Sequence, residues 1–446
     1  MAFFLILLAT ILIGVMLGSL MWGIVAQRVV PPLRTRDSGG PLKVGVVLGS
    51  GGHTSEMMRI LKALPHSHWE NSQPFYVVSN TDQHSAQLAR DFERSSFKRG
   101  VILNVIPRAR EVGQSYFTSV WTTLLAFWSS LKVVYREKPC VLLTNGPGVC
   151  LPVILAGFLL PAWCPWYGRR RPIVVYLESF TCVEHLSLTG KLLAPFLADI
   201  FTVHWEAAQV AAARIRWRGQ LYCIGNKTKR NENAAEPALH TADAHQVASL
   251  HQQTMTGGHA LVTVGSTRFD ELIYAVSDTA VCKTLQVHFG IDKLLLQYGA
   301  MDFKPPTNQP MKRYDDPVNA PGGVWRGTSG GVVIEAFAYR PKLEQYILNA
   351  SLVITHAGAG TILECLNARC PTIVVPNRRL MSDHQLELAN ALMHRGYLYC
   401  VSLQQLCGQL QTLDLSKLSV YPGIDEDLLI AALTSPPVQN KNEFEK

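Results

Sequence analysis

The stretch Ala350-Ser-Leu-Val-Ile-Thr-His-Ala-Gly-Ala-Gly-Thr-Ile-Leu-Glu-Cys-Leu-Asn367 decides how the rest of the chain is read. Ser351 to Thr355 is a short β-branched, apolar run, the pattern of a strand buried in a parallel sheet. His356-Ala357-Gly358-Ala359-Gly360 follows as a tight loop of small residues, and Thr361 to Ala368 reads as a helix whose Ile362, Leu363 and Leu366 face a sheet. Pro371 ends that unit, and Thr372 to Val375 is the next strand. A strand, a glycine loop and a helix start bring backbone N–H groups and the positive helix end to one place, which suits an anionic group and above all a phosphate. Thr361 and Glu364 also have the Thr-x-x-Glu spacing of a capping box, so a purely structural role for the pair stays open.

Working outward, the same pattern occurs twice more. Leu42 to Leu48 is a strand, Gly49-Ser50-Gly51-Gly52-His53 a loop, and Thr54 to Leu64 a helix with the apolar stripe Met57, Ile60, Leu61 and Leu64. His53 sits where that helix begins, either as a chemical group or as a loop and capping residue. Further on, His259 to Val264 is a strand that runs into Gly265-Ser266-Thr267-Arg268-Phe269-Asp270. The N-terminal loop does not meet the G-x-G-x-x-G dinucleotide pattern, so the glycines alone are weak evidence for a nucleotide. Strands at Phe75–Ser79, Val101–Ile106, Val141–Thr144, Ile173–Leu177, Ile200–Val203, Leu294–Tyr298 and Val332–Ala336, mostly separated by helical stretches, give an α/β chain with largely parallel sheets. Asn145-Gly146-Pro147-Gly148 and Glu178-Ser179-Phe180 leave strand C-termini, where open α/β sheets place ligands. Glu178 is a site candidate there, or a solvated loop carboxylate.

Between the halves, residues 226–258 form a polar connector. Residues 303–331, dense in Pro, Gly and Asp, read as a long flexible insertion. Asp383-His384-Gln385 opens a helix that stops at Gly396, with Asp383 also available as a cap. Asp425-Glu426-Asp427 fits the Asp-x-Asp pattern of metal-dependent sugar transfer, but a helix follows directly, where acidic residues stabilise the first turn.

At 446 residues the chain accommodates two or three domains with sizeable cores. Its 48% hydrophobic and 17% charged residues fit a globular protein with membrane-contacting parts. The formal charge of +8 suits an anionic membrane surface or phosphate-bearing substrates; no nucleic-acid recognition motif accompanies it. The ten cysteines are scattered without a C-x-x-C pair or zinc spacing, which reads as reduced thiols in a cytosolic domain. Phe3 to Ala26 is an uncharged run of about 24 residues, long enough at ~1.5 Å per residue to cross a ~30 Å hydrocarbon core. Residues 1–27 therefore read as a transmembrane anchor, and Arg28, Arg34 and Arg36 behind it put the bulk of the chain on the cytosolic side. Val149 to Tyr167, uncharged but carrying Pro152, Pro161 and Pro165, is a buried helix, one that dips into the membrane interface or, third in order, a second span. Tyr116 to Tyr135 is a weaker version of the same pattern.

Two Rossmann-like halves, the His-Ala-Gly-Ala-Gly-Thr loop at 356–361 and Asp-His-Gln at 383–385 resemble the GT-B glycosyltransferases, two domains facing across a cleft. Gly-Ser-Gly-Gly-His at 49–53 and Tyr-Leu-Glu-Ser at 176–179 make the first half similar to the membrane-anchored subunit of the dolichol-pathway N-acetylglucosamine transferase. Gly-Ser-Thr-Arg-Phe at 265–269 and the 356–361 loop make the second similar to its soluble catalytic partner, here fused in one chain. The resemblance implies an acceptor-binding domain at 42–225 and a donor-binding catalytic domain at 259–446. It further implies transfer from UDP-GlcNAc to dolichyl-diphosphate-linked GlcNAc, with inversion, on the cytosolic face of the endoplasmic reticulum membrane. Gly265, Ser266, Thr267 and His356 would belong to the donor site, with Ala359, Gly360 and Thr361 on the diphosphate and Glu364 on the ribose. Asp383, His384 and Gln385 would hold the sugar. Gly51, Gly52, Asn145 and Gly146 would hold the acceptor, with His53 or Glu178 as base. No metal or other cofactor is implied, and other dolichol-pathway enzymes are possible partners. The family's bacterial relative has a longer glycine loop before its histidine. A GT-B enzyme acting on another membrane lipid and a non-catalytic membrane recruiter are the competing readings.

Overall fold

The computed structural model describes residues 18, 41–49, 51–109, 116–146, 148–168, 171–193, 197–215, 220–225, 258–265, 267–306, 310–316, 320–338, 340, 343–377 and 384–434. The anchor expected at 1–27, apart from residue 18, and nearly all of the connector at 226–258 lie outside them. Among the described residues no helix is long and apolar enough to cross a membrane. The chain forms two units, one of residues 1–226 and 424–446, the other of 227–423.

In the first unit, β1 (Leu42–Val47), β2 (Ser72–Ser79), β3 (Leu103–Ile106), β4 (Val141–Asn145), β5 (Ile173–Leu177), β6 (Ile200–Val203) and β7 (Gln220–Cys223) form one sheet in the order β3-β2-β1-β4-β5-β6-β7. Every pairing is parallel. Apolar side chains fill both faces, as parallel strands between helices require: Val46, Tyr76 and Leu177 belong to one core with Met57 and Leu61. The helices are α1 (Gly52–Ala63), α2 (Gln83–Phe97), α3 (Tyr116–Glu137) and α4 (Cys150–Trp163) among others. Helix α4 is the apolar segment that read three ways from sequence, and Val153, Ile154 and Ala156 are fully buried. It is a core helix, capped on its solvent side by α3, with Phe127 and Trp163 edge to face at 6.3 Å. The exposed apolar face belongs to α3, where Val120, Trp121, Leu124, Leu125 and Trp128 recur at helical spacing on the surface. β7 was not expected, since Gln220-Leu-Tyr-Cys223 is short and only half-buried at the sheet edge.

The second unit holds β8 (Gly258–Thr263), β9 (Ile291–Gln297), β10 (Lys312–Asp316), β11 (Ala320–Ser329), β12 (Val332–Phe337), β13 (Leu352–Thr355), β14 (Thr372–Val374) and β15 (Tyr399–Cys400), ordered β10-β11-β12-β9-β8-β13-β14-β15. The pairings are parallel from β12 to β15, and β10 and β11 are antiparallel additions at one edge. The flexible insertion expected at 303–331 is therefore corrected, since most of its described residues are strand. Among its described residues, Pro321, Gly322 and Gly323 lie on β11 opposite the register shift between Tyr314 and Asp316, Gly327 lies further along that strand, and Gly330 and Gly331 follow it. Gly330 and Gly331, with φ of +53° and +88°, form the two-residue turn between β11 and β12, a conformation open to glycine at both positions. Helix α5 (Ala359–Asn367) follows β13, and α6 (His384–His394) ends before Gly396 at φ +74°.

The last described helix, α7 (Glu426–Thr434), corrects the assignment of 259–446 to one domain. Asp425 N–H donates to the Ile224 carbonyl at 2.7 Å, and Leu429 is fully buried in the core of the first unit. Asp425 also accepts the Leu428 N–H at 2.9 Å, so the acidic triplet serves as a helix cap.

Candidate functional site

Each sheet has one point where consecutive connections leave in opposite directions, and in each the glycine loops converge there. In the first unit that point lies between β1 and β4. Gly51, with φ +65°, turns the chain into α1, and Gly52 is its first residue. The Thr54 hydroxyl bonds back to the Gly49 carbonyl and meets the Ser85 hydroxyl at 2.6 Å, which ties the loop to α2.

His53 stands over this loop with its side chain 31% exposed. Its Nδ1 lies 2.9 Å from Asn145 Oδ1, and Asn145 Nδ2 donates to Glu56 Oε2 at 3.0 Å. Glu56 Oε1 accepts from the Ser179 hydroxyl at 3.1 Å and the Phe180 N–H at 3.2 Å. The expected residues His53, Asn145, Gly51 and Gly52 are thus brought together. Gly146 belongs with them for a steric reason, because at φ +71° an added Cβ would stand 2.6 Å from His53 Nδ1. Burial pushes the imidazole's pKa down, but the neighbouring Glu56 carboxylate, the Asn145 bond and the charge of Glu178 outweigh it, and the net shift is upward. Burial likewise favours the acid form of Glu56, yet the contacts with His53, His204 and Asn145 hold it below the ordinary carboxylate value.

Glu178 is not the solvated loop carboxylate one reading allowed, being 1% exposed. Oε2 accepts the N–H and hydroxyl of Ser187, each at 3.1 Å, and Oε1 accepts the Ser179 N–H at 3.1 Å. Burial raises its pKa despite those donors. Such a group ties down the loop from 178 to 187 and adds charge near His53. Glu56 escaped the sequence reading, although a signal was present: an acid three residues after His53, beside Met57 and Met58 in an otherwise apolar stripe, shares a helix face with it.

In the second unit the corresponding point lies between β8 and β13. Gly265 takes φ +61°, and a Cβ there would stand 3.1 Å from His356 Cε1. The Thr267 hydroxyl donates to the Val264 carbonyl at 2.7 Å, closing this loop. Burial outweighs a contact with the Thr263 backbone and holds the His356 imidazole at about 4, so it is neutral at physiological pH. Helix α5 starts at Ala359, and its N-cap is Gly358, which has no side chain. The capping-box reading is thereby corrected, since Thr361 lies in the first turn and Glu364 beyond it. Both are half-exposed, as are Gly360 and Gln385, whereas Ala359 is buried. The structure brings Gly265, Thr267, His356 and the start of α5 to one sheet edge. Ser266, Asp383 and the side chain of His384 lie outside the described residues.

Residues 44–221 match the family described as oligosaccharide biosynthesis protein Alg14 like, and residues 259–429 match the glycosyltransferase family 28 C-terminal domain. The human UDP-N-acetylglucosamine transferase subunit ALG14 is 39% identical over 173 residues, 37% of this chain and 76% of that protein. The chain belongs to the Alg14 family. Its Alg14 half is fused to a glycosyltransferase domain, so an anchor-type part and a catalytic-type part share one polypeptide. The fold is that of MurG from Acinetobacter baumannii, with a TM-score of 0.52 at 14% identity over 88% of this chain and 94% of the other. UDP-GlcNAc 2-epimerase from Neisseria meningitidis bound to UDP-GlcNAc shares it as well, with a TM-score of 0.51 at 11% identity over 88% and 99% of the two chains. A fold common to transferases and epimerases leaves the reaction to the family 28 match and to the sites.

Proposed function

We propose that the chain transfers N-acetylglucosamine from UDP-GlcNAc to GlcNAc-diphosphodolichol, forming chitobiosyl-diphosphodolichol with inversion, the second step of N-glycan precursor assembly. The observation that carries this is the pairing, in one Alg14-family chain, of a helix start behind a glycine loop with a carboxylate-supported histidine at the other sheet's switch point. In this reading Ala359, Gly360 and Thr361 meet the diphosphate, Glu364 the ribose and Gln385, with Asp383 and His384, the sugar. Gly265, Ser266, Thr267 and neutral His356 shape the donor loop. The acceptor lies at Gly51, Gly52, Asn145 and Gly146. The acceptor hydroxyl oxygen bonds to the sugar's anomeric carbon, its proton passes to His53, and the bond to UDP breaks with its electron pair leaving on the diphosphate. Helix-end N–H groups stabilise that charge. Glu178, already saturated with donors, fits a supporting role better than that of base.

The reading includes residence at the endoplasmic reticulum membrane with both units on the cytosolic side. The exposed stripe of α3 supports it: Trp121 and Trp128 are 67% and 63% exposed, and Lys132 and Arg136 follow on the surface. Aromatic anchors with a basic end suit an anionic interface. Product analysis with labelled UDP-GlcNAc and membranes carrying the purified chain tests the function. A labelled chitobiosyl lipid is expected; label on a sterol or diacylglycerol only, or UDP binding without any transfer, would overturn it.

A further inference from the structure

The Alg14-type site contains a carboxylate beside His53 to which the proposed transfer gives no role. We infer that Glu56 is a positioning residue: through Asn145 it holds the His53 imidazole in the tautomer with its proton on Nδ1, leaving Nε2 to take the acceptor's proton. The inference rests on the transfer reaction proposed above and deepens it.

The argument is one of donors and acceptors. Glu56 is 5% exposed, and Oε1 is already engaged by the Ser179 hydroxyl and the Phe180 N–H. An ionised carboxylate only accepts, so the Asn145 atom 3.0 Å from Oε2 must be its NH2. Asn145 therefore turns its carbonyl oxygen to His53 Nδ1 at 2.9 Å. That oxygen also only accepts, so Nδ1 carries the hydrogen. The direct separation of His53 Nδ1 from Glu56 Oε2 is 3.7 Å, too long for a hydrogen bond, and there Glu56 acts by charge alone. As the imidazole gains its second proton, that charge stabilises it, and Glu178 adds to the effect. The titratable groups acting on His53 are these two carboxylates, while His204 acts on Glu56. A carboxamide in place of Glu56 lacks the charge and presents Asn145 with either a donor or an acceptor, so the amide and hence the imidazole lose their fixed orientation.

The test compares Glu56→Gln, His53→Ala and the double variant in the full chain, with kinetics across pH. Glu56→Gln is expected to lower kcat at least about tenfold and leave KM for UDP-GlcNAc within about twofold. It should move the acid limb of the profile to lower pH and cause no further loss when added to His53→Ala. Asn145→Ala, which leaves the carboxylate's bonds to Ser179 and Phe180 in place, should match its loss of kcat. Carbethoxylation of His53 by diethyl pyrocarbonate, located by mass spectrometry on the folded chain, needs no turnover. Its midpoint should fall in Glu56→Gln. A loss in the His53→Ala background equal to that in the wild type, or midpoints unchanged by Glu56→Gln, would overturn the inference. A wild-type chain without transfer would instead overturn the proposed reaction, and the carbethoxylation midpoint would still decide the role of Glu56.

Discussion

A histidine that serves as base must be neutral before it reacts, and His53 has its pKa raised by the carboxylates around it. Transfer is therefore expected to decline on acidification from above the ordinary imidazole value of 6.5, as protonation removes the base. His53→Ala should lower turnover at least about 100-fold, measured as product per minute in folded, membrane-bound protein. Gly146→Ala tests the tight fit beside the ring, since a Cβ there would meet Nδ1 and the backbone has φ +71°. It should cost about 1–2 kcal/mol of stability by thermal denaturation and lower kcat as the imidazole is displaced. Glu364 belongs to a separate step: Glu364→Ala should raise KM for UDP-GlcNAc about tenfold or more if its carboxylate bonds the ribose, with a smaller effect on kcat.

At the scale of elements, the two helix starts were legible because strand, glycine loop and amphipathic helix follow one another in a fixed local order. What α3 and α4 do was not. Both are apolar, and only packing shows that α4 is enclosed while α3 keeps Trp121 and Trp128 at the surface. Replacing both tryptophans by serine should weaken quenching of the chain's tryptophan fluorescence by brominated lipids in reconstituted vesicles, beyond the share of two removed fluorophores. Unchanged fractional quenching would remove α3 from the interface. The β10–β11 hairpin shows the limit of composition: Pro and Gly mark turns and irregular strands as readily as flexible chain, and the Gly330-Gly331 turn is a strand signal.

At the scale of the whole molecule, the return of α7 to the first unit makes a separable prediction. Leu429 is fully buried in that unit's core, so Leu429→Ala should destabilise it by about 2–5 kcal/mol and lower its melting transition alone. Calorimetry showing the second unit's transition shifted instead would contradict the partition. The glycine loops and the residues following the recognised strand C-termini were set by local pattern, because period, glycine conformation and helix starts act over a few neighbouring positions. So was the α/β class. The partnership of Glu56 with Asn145, the burial of Glu178 and the placing of α7 join residues 89, 9 and 201 or more positions apart, or depend on what covers them. Such contacts are chosen by how the packed layers close on one another, and no local pattern in the chain encodes which distant acid will meet which amide.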